Sequence, residues 1–234
     1  MPADVAPEIR RPADFAAEAA AFILAEMRHA IAAHGFCRLA LSGGNTPRAV
    51  HAELVRQAPG FAWNHVQITF GDERCVPPDH PESNYAMALE TLLAPAAIPD
   101  GCVFRIRGEA DPETAATEYE ARLAAVAARL GEPRYIHDVL LLGLGEDGHT
   151  ASLFPGSSAL EEEARNVIPA TGPKPPPQRI TMTLPLLNAA RHVVFLVQGA
   201  AKLPLVEAIV AGGSAFPAAR VRPVAGKVTW IVGA

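Results

Sequence analysis

The stretch FCRLALSGGNTPRAVHAELVRQ, Phe36 to Gln57, decides the fold class. Phe36 to Leu41 is a short apolar run, the pattern of a strand buried on both faces. SGGNTP follows as a loop, and Pro47 to Gln57 reads as a helix with proline in its first turn. A strand, a glycine loop and a helix in immediate succession form the unit from which parallel sheets are built. Upstream, Pro12 to His34 is alanine-rich and places Phe15, Ala19, Phe22, Ile23 and Met27 at helical spacing, with Gly35 as the stop.

Downstream the pattern repeats. Val66 to Phe70 predicts a strand running into GDERCVPPDHPESNY. Ser83 to Leu93 predicts a helix with Ser83 as its N-cap. Thr114 to Leu130 is a further helix, and Asp138 to Leu142 a strand leading into GLGEDGHTASLFPG. KPPPQ reads as an extended loop before a strand at Arg179 to Thr183. Val193 to Val197 is a strand followed by QGAAK and a helix to about Val210, and Lys227 to Val232 is the last strand. The expected fold is α/β, a three-layer arrangement with a mostly parallel sheet and helices on both faces. The late chain leaves room for an antiparallel pairing. The 234 residues read as one domain, 1–234.

Half the residues are hydrophobic and 19% are charged, the balance of a soluble globular protein. The net charge of −5 gives no basic face for a nucleic acid, so charge for an anionic ligand must be gathered locally. Cys37, Cys75 and Cys102 are odd in number and lack C-x-x-C spacing. Neither a disulfide framework nor a zinc site is expected, and a reducing cytoplasm fits. MPADVAPEIRRPADF has no apolar core of signal-peptide type, and no run of about 18 apolar residues suits a membrane. The expectation is a cytoplasmic monomer or small homo-oligomer that acts on a small molecule, with no nucleic-acid or membrane partner.

In open α/β sheets, ligands bind beyond the carboxyl ends of the strands. Four polar clusters fall there: Ser42-Gly43-Gly44-Asn45-Thr46, Gly71-Asp72-Glu73-Arg74, Asp147-Gly148-His149-Thr150, and Lys202. The first has glycines that aim backbone N–H groups at an anion, hydroxyls at Ser42 and Thr46, and a helix start. The same residues also make a capped turn, and the loop alone leaves both readings open. His149 sits in a glycine-rich turn with Asp147 two residues away, suited to steer an imidazole that accepts protons near neutrality. Asp72 and Arg74 suit a simple ion pair, or Arg74 fixes a substrate or stabilises developing negative charge, with Glu73 pointing away. Arg179 and Lys202 suit a phosphate dianion. GLGEDG matches G-x-G-x-x-G, but Pro155 falls where a dinucleotide-binding helix would run. H-E-x-x-H and G-x-S-x-G are both absent, so no metal and no serine nucleophile is expected.

LSGGNTP (Leu41 to Pro47), GDER with SNY (Gly71 to Tyr85), GLGEDGHTASLFPG (Gly143 to Gly156), RITMT (Arg179 to Thr183) and QGAAK ending at Lys202 stand in the order seen in 6-phosphogluconolactonases, which the chain resembles from about Phe36 to Lys202. That family belongs to the glucosamine/galactosamine-6-phosphate isomerase superfamily. DGHTASLFPG is the most specific block. The related glucosamine-6-phosphate deaminases usually carry an aromatic after Asp-Glu and an Asn-Glu-Pro segment after the histidine. Here Arg74 and Ser152-Leu153-Phe154-Pro155 stand in those places. Asn45 replaces a common serine and keeps a polar donor, and the KPPPQ approach to Arg179 is unusual.

The resemblance implies a modified Rossmann-like fold of sugar-phosphate isomerase type and hydrolysis of 6-phospho-D-glucono-1,5-lactone without cofactor or metal. His149 would be the general base, oriented by Asp147. Arg74 and backbone N–H groups of Gly145 to Gly148 would hold the oxyanion, with Asp72 organising Arg74 or the sugar hydroxyls. Ser42, Gly43, Gly44, Asn45, Thr46, Arg179 and Lys202 would hold the phosphate. The alternatives are a glucosamine-6-phosphate deaminase, a non-catalytic sugar-phosphate-binding protein and, least favoured, a nicotinamide-nucleotide oxidoreductase.

Overall fold

The computed structural model describes residues 6–233. Its main sheet has six parallel strands: β1 (Glu8–Arg10), β2 (Cys37–Leu41), β3 (Val66–Phe70), β5 (Val139–Leu142), β8 (His192–Gln198) and β9 (Lys227–Gly233), in the order β1-β9-β8-β5-β2-β3. The strands β4 (Asp72–Arg74), β6 (Val167–Thr171) and β7 (Gln178–Met182) form a second, antiparallel sheet in the order β4-β7-β6. The expected late antiparallel pairing is therefore a separate small sheet. It also recruits Asp72–Arg74 of the GDER segment that follows β3.

The helices are α1 (Phe15–His34), α2 (Asn45–Gln57), α3 (Asn84–Ala88), α4 (Pro112–Arg129), α5 (Leu184–Leu187) and α6 (Leu203–Val210). In α1 the Asp14 carboxylate accepts from Ala17 N at 3.1 Å, and Gly35 closes the helix with φ of 83°. Pro12 thus lies ahead of the cap rather than in the first turn. Such a cap contributes about 1 kcal/mol. Ser83 caps α3 as expected, with its Oγ accepting from Ala86 N. The helix expected to reach Leu93 instead widens after Ala88 into a five-residue π-type turn, Leu89–Leu93.

The connections β1-α1-β2 and β2-α2-β3 step across the sheet in one direction, and β3-α4-β5 and β8-α6-β9 step in the other. Parallel crossovers are right-handed. Opposite steps therefore place α1 and α2 on one face and α4 and α6 on the other, giving the three layers. β2 and β5 are buried along their whole length between them, and β8 in all but Gln198. The rings of Phe195 and Trp230 stack across β8 and β9 at 3.9 Å.

The core also encloses two histidines. His51 bonds Thr91 Oγ1 through Nδ1, and His137 bonds Thr69 Oγ1 through Nε2; the second nitrogen of each has no partner. Burial, with Arg48 and Arg38 respectively as neighbours, pushes His51 down to about 4 and His137 to about 3. In the unfolded chain both titrate near 6.5. The stability gained by keeping them neutral is complete above pH 6.5 and is lost as the pH falls towards those lower values. Each contributes a slope of up to about 1.4 kcal/mol per pH unit. The urea midpoint is expected to fall between pH 7 and 5, and His51→Leu to remove about one proton from that slope. An unchanged slope would show that His51 takes up no proton on unfolding.

Candidate active site

The four polar clusters leave the carboxyl ends of β2, β3, β5 and β8, and these strands are consecutive in the sheet as β8-β5-β2-β3. The clusters therefore meet along one edge, at two adjoining hollows of about 460 and 210 Å³. Both are lined by Asp72, Arg74, Gly145, His149, Ala151 and Lys202. The larger adds Asp147, Phe154, Lys174 and Arg179, and the smaller adds Ser42 to Pro47 and Asn84.

In the turn after β5, His149 Nδ1 lies 2.5 Å from Asp147 Oδ1, and the same oxygen accepts from His149 N at 3.1 Å. Burial works against the Asp147 charge, but the bonds from the His149 ring and amide outweigh it and hold its carboxyl below the usual range. With Nδ1 donating to Asp147, Nε2 carries the lone pair. Phe154 packs on the imidazole, its ring centroid 4.5 Å away. Gly145 is required here because a methyl at that position would overlap the His149 ring. No dinucleotide-binding helix follows this turn, and the next helical segment is the short 3₁₀ turn Ser158–Glu161.

β4 and β7 pair so that Asp72 faces Thr181 and Arg74 faces Arg179. Side chains alternate along a strand, so Asp72, Arg74 and Arg179 share the face towards the hollow and Glu73 points away. Glu73 is buried and caps α3, accepting from Asn84 N at 2.7 Å and Tyr85 N at 2.8 Å. Its burial raises the carboxyl pKa, although those amide bonds oppose the rise.

Asp72 and Arg74 do not pair with each other. Arg74 reaches Glu82, donating to its carbonyl at 2.6 Å and its carboxylate at 3.3 Å, and Arg74 Nε is buried without a partner. Asp72 accepts from Ser152 Oγ at 2.7 Å and Asn84 Nδ2 at 3.1 Å.

Arg179 is 6% exposed, its Nη1 has no partner, and among the described residues no carboxylate lies within ion-pair distance. Burial and the opposing Arg74 charge lower its pKa, yet a guanidinium remains charged at neutral pH. A buried cation without an ion-pair partner is costly, and an anion bound beside it would offset that cost.

The glycine loop completes the enclosure. Gly44 stands at the N-cap of α2 with no side-chain cap, leaving that helix's first N–H groups free of a side-chain acceptor, and Ser42 Oγ is buried without a partner. Lys202 donates to Leu144 O at 2.7 Å, bridging α6 to the His149 loop. Of the amides from Gly145 to Gly148, those of Gly145 and Gly148 are used within the turn, bonding His149 O and Gly145 O. All eleven anticipated site residues line the two hollows between them. Sequence reading missed Asn84, Ser152, Phe154 and Lys174. Lys174 was legible as a cation five residues before Arg179, whereas Asn84 was hidden by its place in a helix start. Among the described residues no cluster of metal-ligating side chains forms, and no helix is long and apolar enough to cross a membrane.

Residues 10–230 match the family described as glucosamine-6-phosphate isomerases/6-phosphogluconolactonase. A 6-phosphogluconolactonase of Synechocystis is 41% identical over 207 residues, covering 87% of this chain and 84% of that protein. The human 6-phosphogluconolactonase is 40% identical over 200 residues, covering 83% and 77%. Among solved structures, 6-phosphogluconolactonase of Trypanosoma brucei superposes with a TM-score of 0.84 at 30% identity, covering 97% of this chain and 96% of that one. The Thermotoga maritima enzyme does so with a TM-score of 0.85 at 28% identity, covering 97% and 100%. With a family match over residues 10–230, relatives at about 40% identity and solved structures that superpose along nearly its whole length, the chain belongs to the glucosamine-6-phosphate isomerase/6-phosphogluconolactonase family.

Proposed function

We propose that the chain hydrolyses 6-phospho-D-glucono-1,5-lactone to 6-phospho-D-gluconate, the hydrolytic step of the oxidative pentose phosphate pathway. The observation that carries this reading is the buried, uncompensated Arg179 in the same hollow as the His149–Asp147 pair. One group suits a phosphate dianion and the other suits activation of water. The relatives at about 40% identity bear the lactonase name.

The phosphate lies between Arg179, Lys202 and the glycine loop of Ser42, Gly43, Gly44, Asn45 and Thr46. The ring carbonyl faces His149. His149 Nε2 takes a proton from water as the water oxygen bonds to C1. Arg74 stabilises the resulting oxyanion. When the tetrahedral carbon collapses, the C1–O5 bond breaks, and O5 leaves as a hydroxyl with the proton held by His149. Asp147 keeps the ring in the productive tautomer, and Asp72 receives sugar hydroxyls. A δ-lactone is a reactive ester, so placing one water and one carbonyl is most of the task.

His149→Ala is expected to lower kcat by roughly 10² to 10⁴. The measurement is proton release from freshly made lactone, counted above the spontaneous blank. A variant as fast as the parent would remove His149 from the role of base, and ammonia release from glucosamine 6-phosphate would point to the deaminase instead. Arg179→Met is expected to raise KM by about tenfold or more, since the interaction lost is with the phosphate rather than the reacting carbon. The same variant should melt at or above the parent temperature, because it removes a buried charge that has no partner. Inorganic phosphate should raise the Tm of the parent and not that of the variant. An equal phosphate shift in both proteins would place the anion elsewhere.

A further inference from the structure

Asn84, the first residue of α3, is 3% exposed and lines the smaller hollow, yet the reaction scheme gives it no part. Its side-chain nitrogen donates to two acceptors on one residue, Asp72 O at 2.9 Å and Asp72 Oδ1 at 3.1 Å. A backbone carbonyl can only accept, so chemistry fixes which way the amide is turned. Nδ2 faces Asp72, and Oδ1 must face the other way. There it lies against Gly43, so close that a methyl at 43 would overlap the carboxamide. The backbone of Asn84 is held as well, since its N–H donates to Glu73 at 2.7 Å. The other carboxylate oxygen of Asp72 accepts from Ser152 at 2.7 Å. One buried side chain therefore touches both the glycine loop after β2 and the carboxylate after β3.

We propose that Asn84 is a positioning residue that sets the glycine loop and the Asp72 carboxylate at a fixed separation, so that the phosphate end and the hydroxyl-bearing ring of one substrate are held together. The proposal rests on the lactonase reading above. Asn84 acts through Asp72 and Gly43 and need not touch the substrate. A carboxylate has about four acceptor sites, and Asn84 and Ser152 use two of them. The remaining sites are free for sugar hydroxyls, with the carboxylate already oriented. Small errors in such orientation cost rate more than they cost affinity.

A side chain that only fills space and one that orients Asp72 give different results in two variants. Asn84→Leu keeps the approximate shape and loses the donor without setting a second charge against Asp72. Its kcat is expected to fall about 10- to 100-fold. KM should change less than about threefold, because Arg179 and Lys202 still hold the phosphate. Asn84→Gly combined with Gly43→Ala puts a methyl where the carboxamide stood. That pair is expected to recover Tm relative to Asn84→Gly alone while kcat stays low, since a methyl gives Asp72 no hydrogen bond. Wild-type rates in Asn84→Leu, a loss confined to KM, or recovery of kcat together with Tm in the double variant would each overturn the proposal while the parent enzyme still turned over lactone. A parent protein with no turnover above the blank would instead bring down the lactonase reading, and this proposal with it.

Discussion

The site depends on the way one residue, Gly71, joins two sheets. Its N–H donates to Leu41 O of β2 at 3.0 Å, continuing the parallel ladder, while its carbonyl accepts from Met182 N of β7 at 2.9 Å, opening the antiparallel one. The chain thus leaves the main sheet and enters the small sheet within a single residue. Everything downstream inherits that register. Asp72 comes opposite Thr181 and Arg74 opposite Arg179, all above the carboxyl edge where the β2, β5 and β8 loops emerge. Without this switch, β7 would have no partner strand from the β3 side. Arg179, more than a hundred residues further along the chain, would not meet Arg74.

The register has an energetic consequence. Like charges directly opposite on neighbouring strands are destabilising, and here two arginines occupy such a pair. Glu82 relieves Arg74 in part, at 3.3 Å. Asp72 offsets the Arg179 charge through space but makes no ion pair with it, and Ser152 and Asn84 each bond one of its oxygens. The fold therefore leaves this buried cation without an ion-pair partner among the described residues. Under the proposed function that leaves the charge available, since an internal ion pair would satisfy Arg179 and weaken its field at a substrate anion. The chain as a whole carries a charge of −5, so the attraction for an anion is a local product of strand register rather than of composition.

The parts of this arrangement that were legible in the sequence are those made of neighbouring residues. β2, β3, β5 and β8 announce themselves as apolar runs because both faces are covered. His149 and Asp147 sit two residues apart in one turn, so their pairing needed no knowledge of the fold. The unread strands escaped notice for physical reasons, β1 and β4 being three residues long and polar and β6 being interrupted by a proline. EIR of β1 lies exposed at the edge of the main sheet. DER of β4 turns charges into a cavity. VIPAT of β6 carries Pro169, which an edge strand of a three-stranded sheet tolerates because it need donate on one side only. The roles of Asn84 and Ser152 were invisible for another reason. Each is defined by its bond to Asp72, 12 and 80 residues away, and no local pattern encodes a contact of that kind. Of the two readings open for Asp72 and Arg74, the simple ion pair is not made, because charges two residues apart on a strand share a face without having to share a bond.

The two halves of the site, the histidine turn and the cationic face, are linked through Lys202. Its ammonium holds Leu144 O at 2.7 Å, at the root of the histidine turn. An ammonium has three donors, so it can keep that bond and still engage a phosphate oxygen. Its carbonyl partner fixes where the charge sits before any ligand arrives. Under the proposed function, binding energy gained at the phosphate would be realised on a group already tied to the turn that carries His149. That is the arrangement required if contacts remote from the reacting carbon are to improve its alignment rather than only tighten binding. A phosphate site built on a separate flexible lysine would lower KM with little effect on the chemistry. A lysine whose position is set by the histidine turn makes affinity and alignment depend on the same side chain.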